Sequence, residues 1–214
     1  MELLRHLLNE DPSRPRLTFY NESTGSRLDF SATTLDNWAA KVANMLEQEF
    51  DLQAGADIGV SLPTSWQSVA IILGALAARM NIHVDSTAVD ILFCGVDAIA
   101  EDAPADTVVV TDDPFGRGVA ELGLELPAGS VDFGPTVRFY GDQYIGDSPA
   151  LPEVIPPAET AARVLSTSIS TWPKLVSSVL SPLAAGGSAV VVVGMSDVNR
   201  LSHIADVEKV DVIL

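Results

Sequence analysis

Between Ser31 and Val84 the chain passes from helical to strand periodicity and back with little between, and this alternation constrains the fold more than any other feature. Ser31 or Thr33 can cap a helix on which Leu35, Trp38, Ala39, Val42, Met45 and Leu46 recur at spacings of three and four, ending near Phe50-Asp51. Residues 57–62 (DIGVSL), stopped by Pro63, read as a buried strand. Ser65 can cap a second, more apolar helix from Trp66 to Met80, where Gly74, Ala75, Ala77 and Ala78 permit close packing. Further buried strands are expected at 82–84, 91–94 and 107–110. Short strands without polar alternation, separated by helices, predict an α/β fold with mostly parallel sheets and helices on both faces.

On either side of this core the pattern is less uniform. Leu3, Leu4, Leu7 and Leu8 share one face of a short helix ending before Asp11-Pro12. Residues 17–20 (LTFY) and 27–30 (RLDF) are β-prone and flank a turn in which Gly25 is free to take positive φ, so a hairpin is expected. From about 112 to 160 Pro, Gly and acidic residues accumulate, predicting an irregular connector over 113–160 with one strand at 137–140 (VRFY). Order returns with a strand at 163–168, a helix over Trp172–Ala185, a strand at 189–193, a helix over 197–207 and a strand at 210–214.

Charge narrows the partners. Twelve Lys and Arg against 29 Asp and Glu give −17, which repels phosphate backbones and anionic lipid, so neither nucleic acid nor a membrane is expected as a partner. The N-terminal stretch fits neither a secretory signal nor a membrane span, which predicts a cytoplasmic protein. Cys94 is the only cysteine and sits in an apolar, strand-like setting, as a buried inert thiol would.

Three pieces of the chain together resemble the N-terminal domain of the adenylate-forming (AMP-binding) enzymes, the acyl-CoA synthetases and peptide-synthetase adenylation domains. They are residues 17–20 with their turn, the run from Ser31 to Val84, and RVLSTS at 163–168 followed by LSPLAAGGSAVVV at 180–192. The resemblance implies a single unit, residues 1–214, with one sub-lobe from 17–52 plus 163–214 and another from 57–112. The abbreviated pattern is most similar to short actinobacterial proteins whose function is not established. The full-length enzymes hold ATP phosphates with a Ser/Thr/Gly-rich loop ending in Pro-Lys-Gly, and that loop is unmatched here. Their acidic ribose motif, their Mg-binding Glu motif and the catalytic lysine of their C-terminal domain are unmatched as well. Lys41, Lys174 and Lys209 are the only lysines and none lies in a corresponding motif, so no catalytic residue is carried over and the balance is against an enzyme.

The best ligand candidates left are Ser166, Thr167, Ser168, Ser170 and Thr171, hydroxyls between a strand and a helix where backbone N–H groups can meet an anion such as the phosphate of ATP or CoA. The segment lacks a glycine, however, and Ser170 or Thr171 before Trp172-Pro173 also reads as an ordinary helix cap. Gly116-Arg117-Gly118 superficially matches the start of a dinucleotide loop, but Glu121 holds the third glycine position and a turn is the better reading. Asp112-Asp113 reads as a solvated loop rather than a cation site, and His6, His83 and His203 lack metal-ligand spacing. Ser196 in GMSD reads as a helix cap rather than a nucleophile, and Trp38 and Trp66 as packing residues. Three functions are compatible with this pattern: a noncatalytic adenylate-forming-like protein that binds a partner protein or a small acyl or nucleotide ligand, a residual ATP- or acyl-CoA-using enzyme completed by a second chain, and a self-assembling structural protein that forms a homo-oligomer.

Overall fold

A computed structural model describes residues 1–84, 88–98, 106–167, 169 and 171–214. In chain order the first elements are α1 (Arg5–Glu10), β1 (Pro15–Asn21), β2 (Ser26–Ser31), α2 (Ala32–Gln48), β3 (Asp57–Ser61), α3 (Trp66–Ala77) and β4 (Asn81–Val84). There follow β5 (Ile91–Cys94), β6 (Asp106–Val109), β7 (Val131–Asp132), α4 (Phe133–Phe139), α5 (Leu151–Val154) and β8 (Arg163–Ser166). The chain closes with α6 (Trp172–Leu175), α7 (Ser181–Ala184), β9 (Ser188–Val193), α8 (Val198–Glu208) and β10 (Val212–Ile213). It forms two compact units, residues 1–3 with 36–149, and residues 4–35 with 150–214.

The first unit is built on a five-stranded sheet in the order β4-β3-β5-β6-β7, every pair parallel. Ile58 of β3 lies beside Ile82 on one flank and Ile91 on the other, and β5 is buried along its whole length. This is why these strands carry no polar alternation: helices cover both faces of a parallel sheet. α3 is apolar nearly all round, with eleven of its twelve residues buried. Its start is set by a reciprocal capping box, in which Ser65 Oγ accepts from the Ser68 N–H and Ser68 Oγ accepts from the Ser65 N–H. α3 packs so closely on α2 that a Cβ at Gly74 would stand 2.5 Å from Val42 Cβ. Only glycine allows that approach.

The second unit has a five-stranded sheet in the order β10-β8-β9-β1-β2, parallel except for the β1–β2 hairpin. Central β9 buries five of its six residues, whereas the edge strand β2 alternates, as a strand with one wet face should. A charge network ties the sheet to α8. Glu208, buried at the end of that helix, accepts from Tyr20 Oη at 2.6 Å, Arg163 Nη2 at 2.6 Å and Arg27 Nη2 at 2.8 Å. Each partner sits on a different strand, so one carboxylate joins β1, β2 and β8 to α8.

Several expectations need correction. Residues 113–160 are not irregular throughout: they hold a 3-10 turn at Ala120–Leu122, β7, α4 and α5, and β7 adds the fifth strand of its sheet. The expected strand at 137–140 is the end of α4, because Gly134 and Val137 must face inward at helical spacing, and a Cβ at Gly134 would meet Gly116 O and Gly118 N at 2.6 Å. The expected helix over 172–185 is helical but interrupted by a π turn at Val176–Leu180, in which the Ser181 N–H reaches back to Val176 O. Pro182 is the physical cause, since it offers no N–H to continue the α ladder. The last strand is only two residues long and exposed. Among the described residues no helix is long and apolar enough to cross a membrane.

Candidate functional site in the first sheet

A parallel sheet binds ligands where connections leave adjacent strands in opposite directions, because the diverging loops leave a crevice at the strands' carboxyl ends. In the first unit that point lies between β3 and β5: β3 connects through α3 to β4 on one side, and β5 connects to β6 on the other. A cleft of about 440 Å³ opens there. Leu62, Pro63 and Ser65 line it from the loop after β3, and Gly95, Val96, Asp97 and Ala98 from the loop after β5. Val110, Thr111 and Asp112 follow β6, and Leu122 and Leu124 complete the wall. The volume falls in the range of small-molecule sites, and the lining is mostly aliphatic.

The corresponding point of the second sheet, between β9 and β1, is filled. The Glu22 N–H donates to Val193 O at 2.9 Å, Ser23 packs against Gly194, and Arg200 grips Glu22 with Nε and Nη2 at 2.8 and 2.9 Å. A shallower hollow of about 340 Å³ at the other end of that sheet holds Arg14, Arg163 and Lys209, but Arg14 is paired with Glu10, and Arg163 with Glu208.

The hydroxyl-rich segment lies in the second unit, at the end of β8. Ser166 is buried, while Thr167 and Thr171 are exposed. Ser168 and Ser170 lie outside the described residues. Thr171 occupies the backbone cap position of α6, yet its hydroxyl makes no capping bond, and α6 has a single turn. Ser196 is likewise not the cap of α8: Asp197 takes that role, its Oδ1 accepting from the Arg200 N–H at 2.8 Å.

Gly116-Arg117-Gly118 serves packing. A Cβ at Gly118 would meet Pro135 Cδ at 2.4 Å and both Asp132 carboxylate oxygens at 2.5 Å, while Gly116 takes φ +68° against the Trp66 ring. Asp113 is no solvated loop residue. It is buried, accepts from the Phe115 and Arg117 N–H groups, and receives Arg117 Nη2 at 2.7 Å. Burial pushes its carboxyl up, but these hydrogen bonds outweigh that and hold it below the usual carboxylate range. Asp112 beside it stays exposed on the cleft. Trp38 and Trp66 stack tilted at 4.9 Å, and Trp66 Nε1 donates to Pro114 O. His6 Nε2 meets Leu183 O, and His83 pairs with Asp57 at 2.8 Å. No group of three or more His, Cys, Asp or Glu among the described residues could hold a metal. Cys94 is fully buried at the end of β5, and burial pushes its thiol up.

The cleft escaped the sequence reading because strand order defines it. The residues just after three strand ends were in view, but nothing local shows that β3 and β5 are neighbours.

The fold has many solved counterparts. A Brucella canis acyl-CoA synthetase superposes with a TM-score of 0.72 at 16% identity, over 94% of this chain and 44% of that one. The anthranilate CoA ligase AuaEII in complex with anthranoyl-AMP gives 0.68 at 13% identity, over 95% of this chain and 47% of that one. A fatty acid AMP ligase from Legionella pneumophila gives 0.60 at 13%, over 96% and 41%. The chain thus spans a little under half the length of these enzymes, and at such identities the likeness is one of fold. No model of a known protein family matches the chain. A Mycobacterium tuberculosis protein named as a TIGR03089 family protein is 33% identical over 216 residues, covering 89% of this chain and 87% of that one. With that identity along nearly the whole of both chains, and the N-terminal fold of the adenylate-forming enzymes beneath it, the chain belongs to the TIGR03089 family.

Proposed function

We propose that this chain is a noncatalytic ligand-binding protein on an adenylate-forming scaffold, and that its ligand is a small organic molecule held in the cleft between the ends of β3 and β5. The observation that carries the reading is the cleft itself: an aliphatic-walled hollow of about 440 Å³ at the switch point of a parallel sheet. The Pro-Lys-Gly phosphate loop, the ribose motif and the Mg-binding motif that adenylation needs are unmatched in these 214 residues.

Gly95 supplies the test. It lines the cleft, and a Cβ built there meets no atom of the described residues within 4 Å, so a side chain can be added at this position without clashing with them. Hexanol titrated into the 15N-labelled protein should shift amides at 62–65, 95–98 and 110–112 saturably, and Gly95→Leu should abolish those shifts with little loss of stability. Pyrophosphate release from MgATP with carboxylic acids should stay at background. Pyrophosphate release by the purified chain would overturn the noncatalytic part of the reading. Hexanol shifts that avoid the cleft, or that survive Gly95→Leu, would overturn the site.

A further inference from the structure

Resting on that reading of the cleft, we infer that it selects a small amphipathic cation, an aliphatic or aromatic ammonium or amidinium, over carboxylates and phosphates. The argument is an inventory of the polar groups that line it. Ser65 Oγ is occupied by the Ser68 N–H in the α3 cap. Thr111 Oγ1 donates to Arg117 O at 2.5 Å, and the Gly95 carbonyl accepts from the Ala98 N–H at 3.0 Å. The charged lining groups are the carboxylates of Asp97 and Asp112, both exposed, with no ion-pair or hydrogen-bond partner among the described residues. No Lys, Arg or His is among the described lining residues.

The positive elements nearby are the start of α3, whose cap Ser65 lines the cleft, and Arg117, whose guanidinium is already paired with buried Asp113. A helix N-terminus carries about half an elementary charge, and here one of its N–H groups is already satisfied by the capping box. Against two full negative charges, in a chain of net charge −17, the potential in the cleft is negative. A ligand whose apolar body lies against Leu62, Val96, Val110 and Leu122 therefore meets two carboxylate acceptors at its polar end. An ammonium supplies three donors to them, an alcohol one, and a carboxylate or phosphate none.

Hexylamine, hexanol and hexanoate share a body and differ in the head group, which makes them the probes. Titrated by NMR at pH 7 and low salt, hexylamine should bind at least tenfold more tightly than hexanol, and hexanoate more weakly than either. The advantage of the amine should shrink several-fold in 0.5 M NaCl. It should disappear in the Asp97→Asn/Asp112→Asn variant, which removes both charges and loses no bond among the described residues. Equal binding of amine and alcohol in the cleft would overturn the cation preference and leave the ligand-binding reading standing. Tightest binding by hexanoate would overturn the charge argument outright. Failure of all three probes to shift the cleft amides would remove the cleft as a ligand site, and this inference with it.

Discussion

Replacing Gly74 with alanine sets two effects against each other, and the geometry decides between them. In a solvent-facing helix the change would stabilise by about 1 kcal/mol, since glycine is the poorer helix former. Here the new methyl would lie 2.5 Å from Val42 Cβ, 2.6 Å from Val42 Cγ1 and 2.8 Å from the Ala39 carbonyl oxygen. Carbon atoms pack at about 3.5–4.0 Å, so α2 and α3 must separate by about 1 Å, which forfeits roughly a quarter to a half of the dispersion energy of contacts along the interface. Overpacking of this kind costs about 1–3 kcal/mol, and rigid backbone among the obstacles places this case at the upper end. The net expectation is a loss of about 1–2 kcal/mol, or roughly 2–8 °C in Tm for a protein of this size. Val42→Ala should not restore stability to Gly74→Ala, because it removes Cγ1 but leaves the Cβ and carbonyl contacts. Urea unfolding followed by circular dichroism measures both, with Gly95→Ala as a control that introduces a methyl into open space. An unchanged or raised midpoint for Gly74→Ala would refute the close-packing account of the α2/α3 interface.

Three more measurements follow from the second unit and from the tyrosines. Glu208→Gln should destabilise by about 2–3 kcal/mol, as it leaves Arg163 without its charge partner in a largely buried setting. Burial raises Glu208, but the bonds from Tyr20, Arg27 and Arg163 prevail and hold it below its ordinary 4.5, so its contribution is present above about pH 4.5 and lost as pH falls through the lower folded value. The gap between wild type and variant in urea midpoints should therefore narrow on acidification below pH 4.5, and a gap constant down to pH 2 would contradict this. All three tyrosines are raised by burial and by donating to a glutamate, with Tyr140 pushed up to about 12, so absorbance at 295 nm should show little tyrosinate in the folded protein at pH 10 and about half conversion in urea. Lys209 closes α8 at φ +52°, with the Val210 N–H bonded to Ala205 O, so Lys209→Gly should stabilise by about 0.5–1 kcal/mol in the same urea assay; a loss would mean the lysine side chain holds the turn.

Local chemistry made much of the fold legible before any coordinates. Ser65 announced the start of α3 because a cap is a two-residue affair, and the β-prone runs at 57–62 and 189–193 announced buried parallel strands because both faces of such a strand are covered. What failed was set at long range. Val137 and Phe139 are β-prone, yet they form a helix because α4 must fit its glycine against the backbone of Gly116 and Gly118. Asp113 and Asp112 are neighbours of one type, and only the fold of the loop buries one under Arg117 and leaves the other on the cleft. The candidate site was illegible for the same reason, since a switch point exists only once strand order is known.

The β1–β9 ladder bears on how the chain is made. Leu17 emerges from the ribosome about 170 residues before Ala189, its partner, and at 5–20 residues per second the interval is roughly 10–35 s. Over that time the β1–β2 hairpin has one edge without its strand, and a hairpin alone is barely stable in water. The first unit needs only a nearly continuous stretch, residues 36–149 with the first three, and its strands follow one another closely in sequence. Synthesis therefore favours an order in which the parallel β3–β7 sheet sets while β1 waits, and the second sheet closes later, around a β9 that arrives about 170 residues after β1.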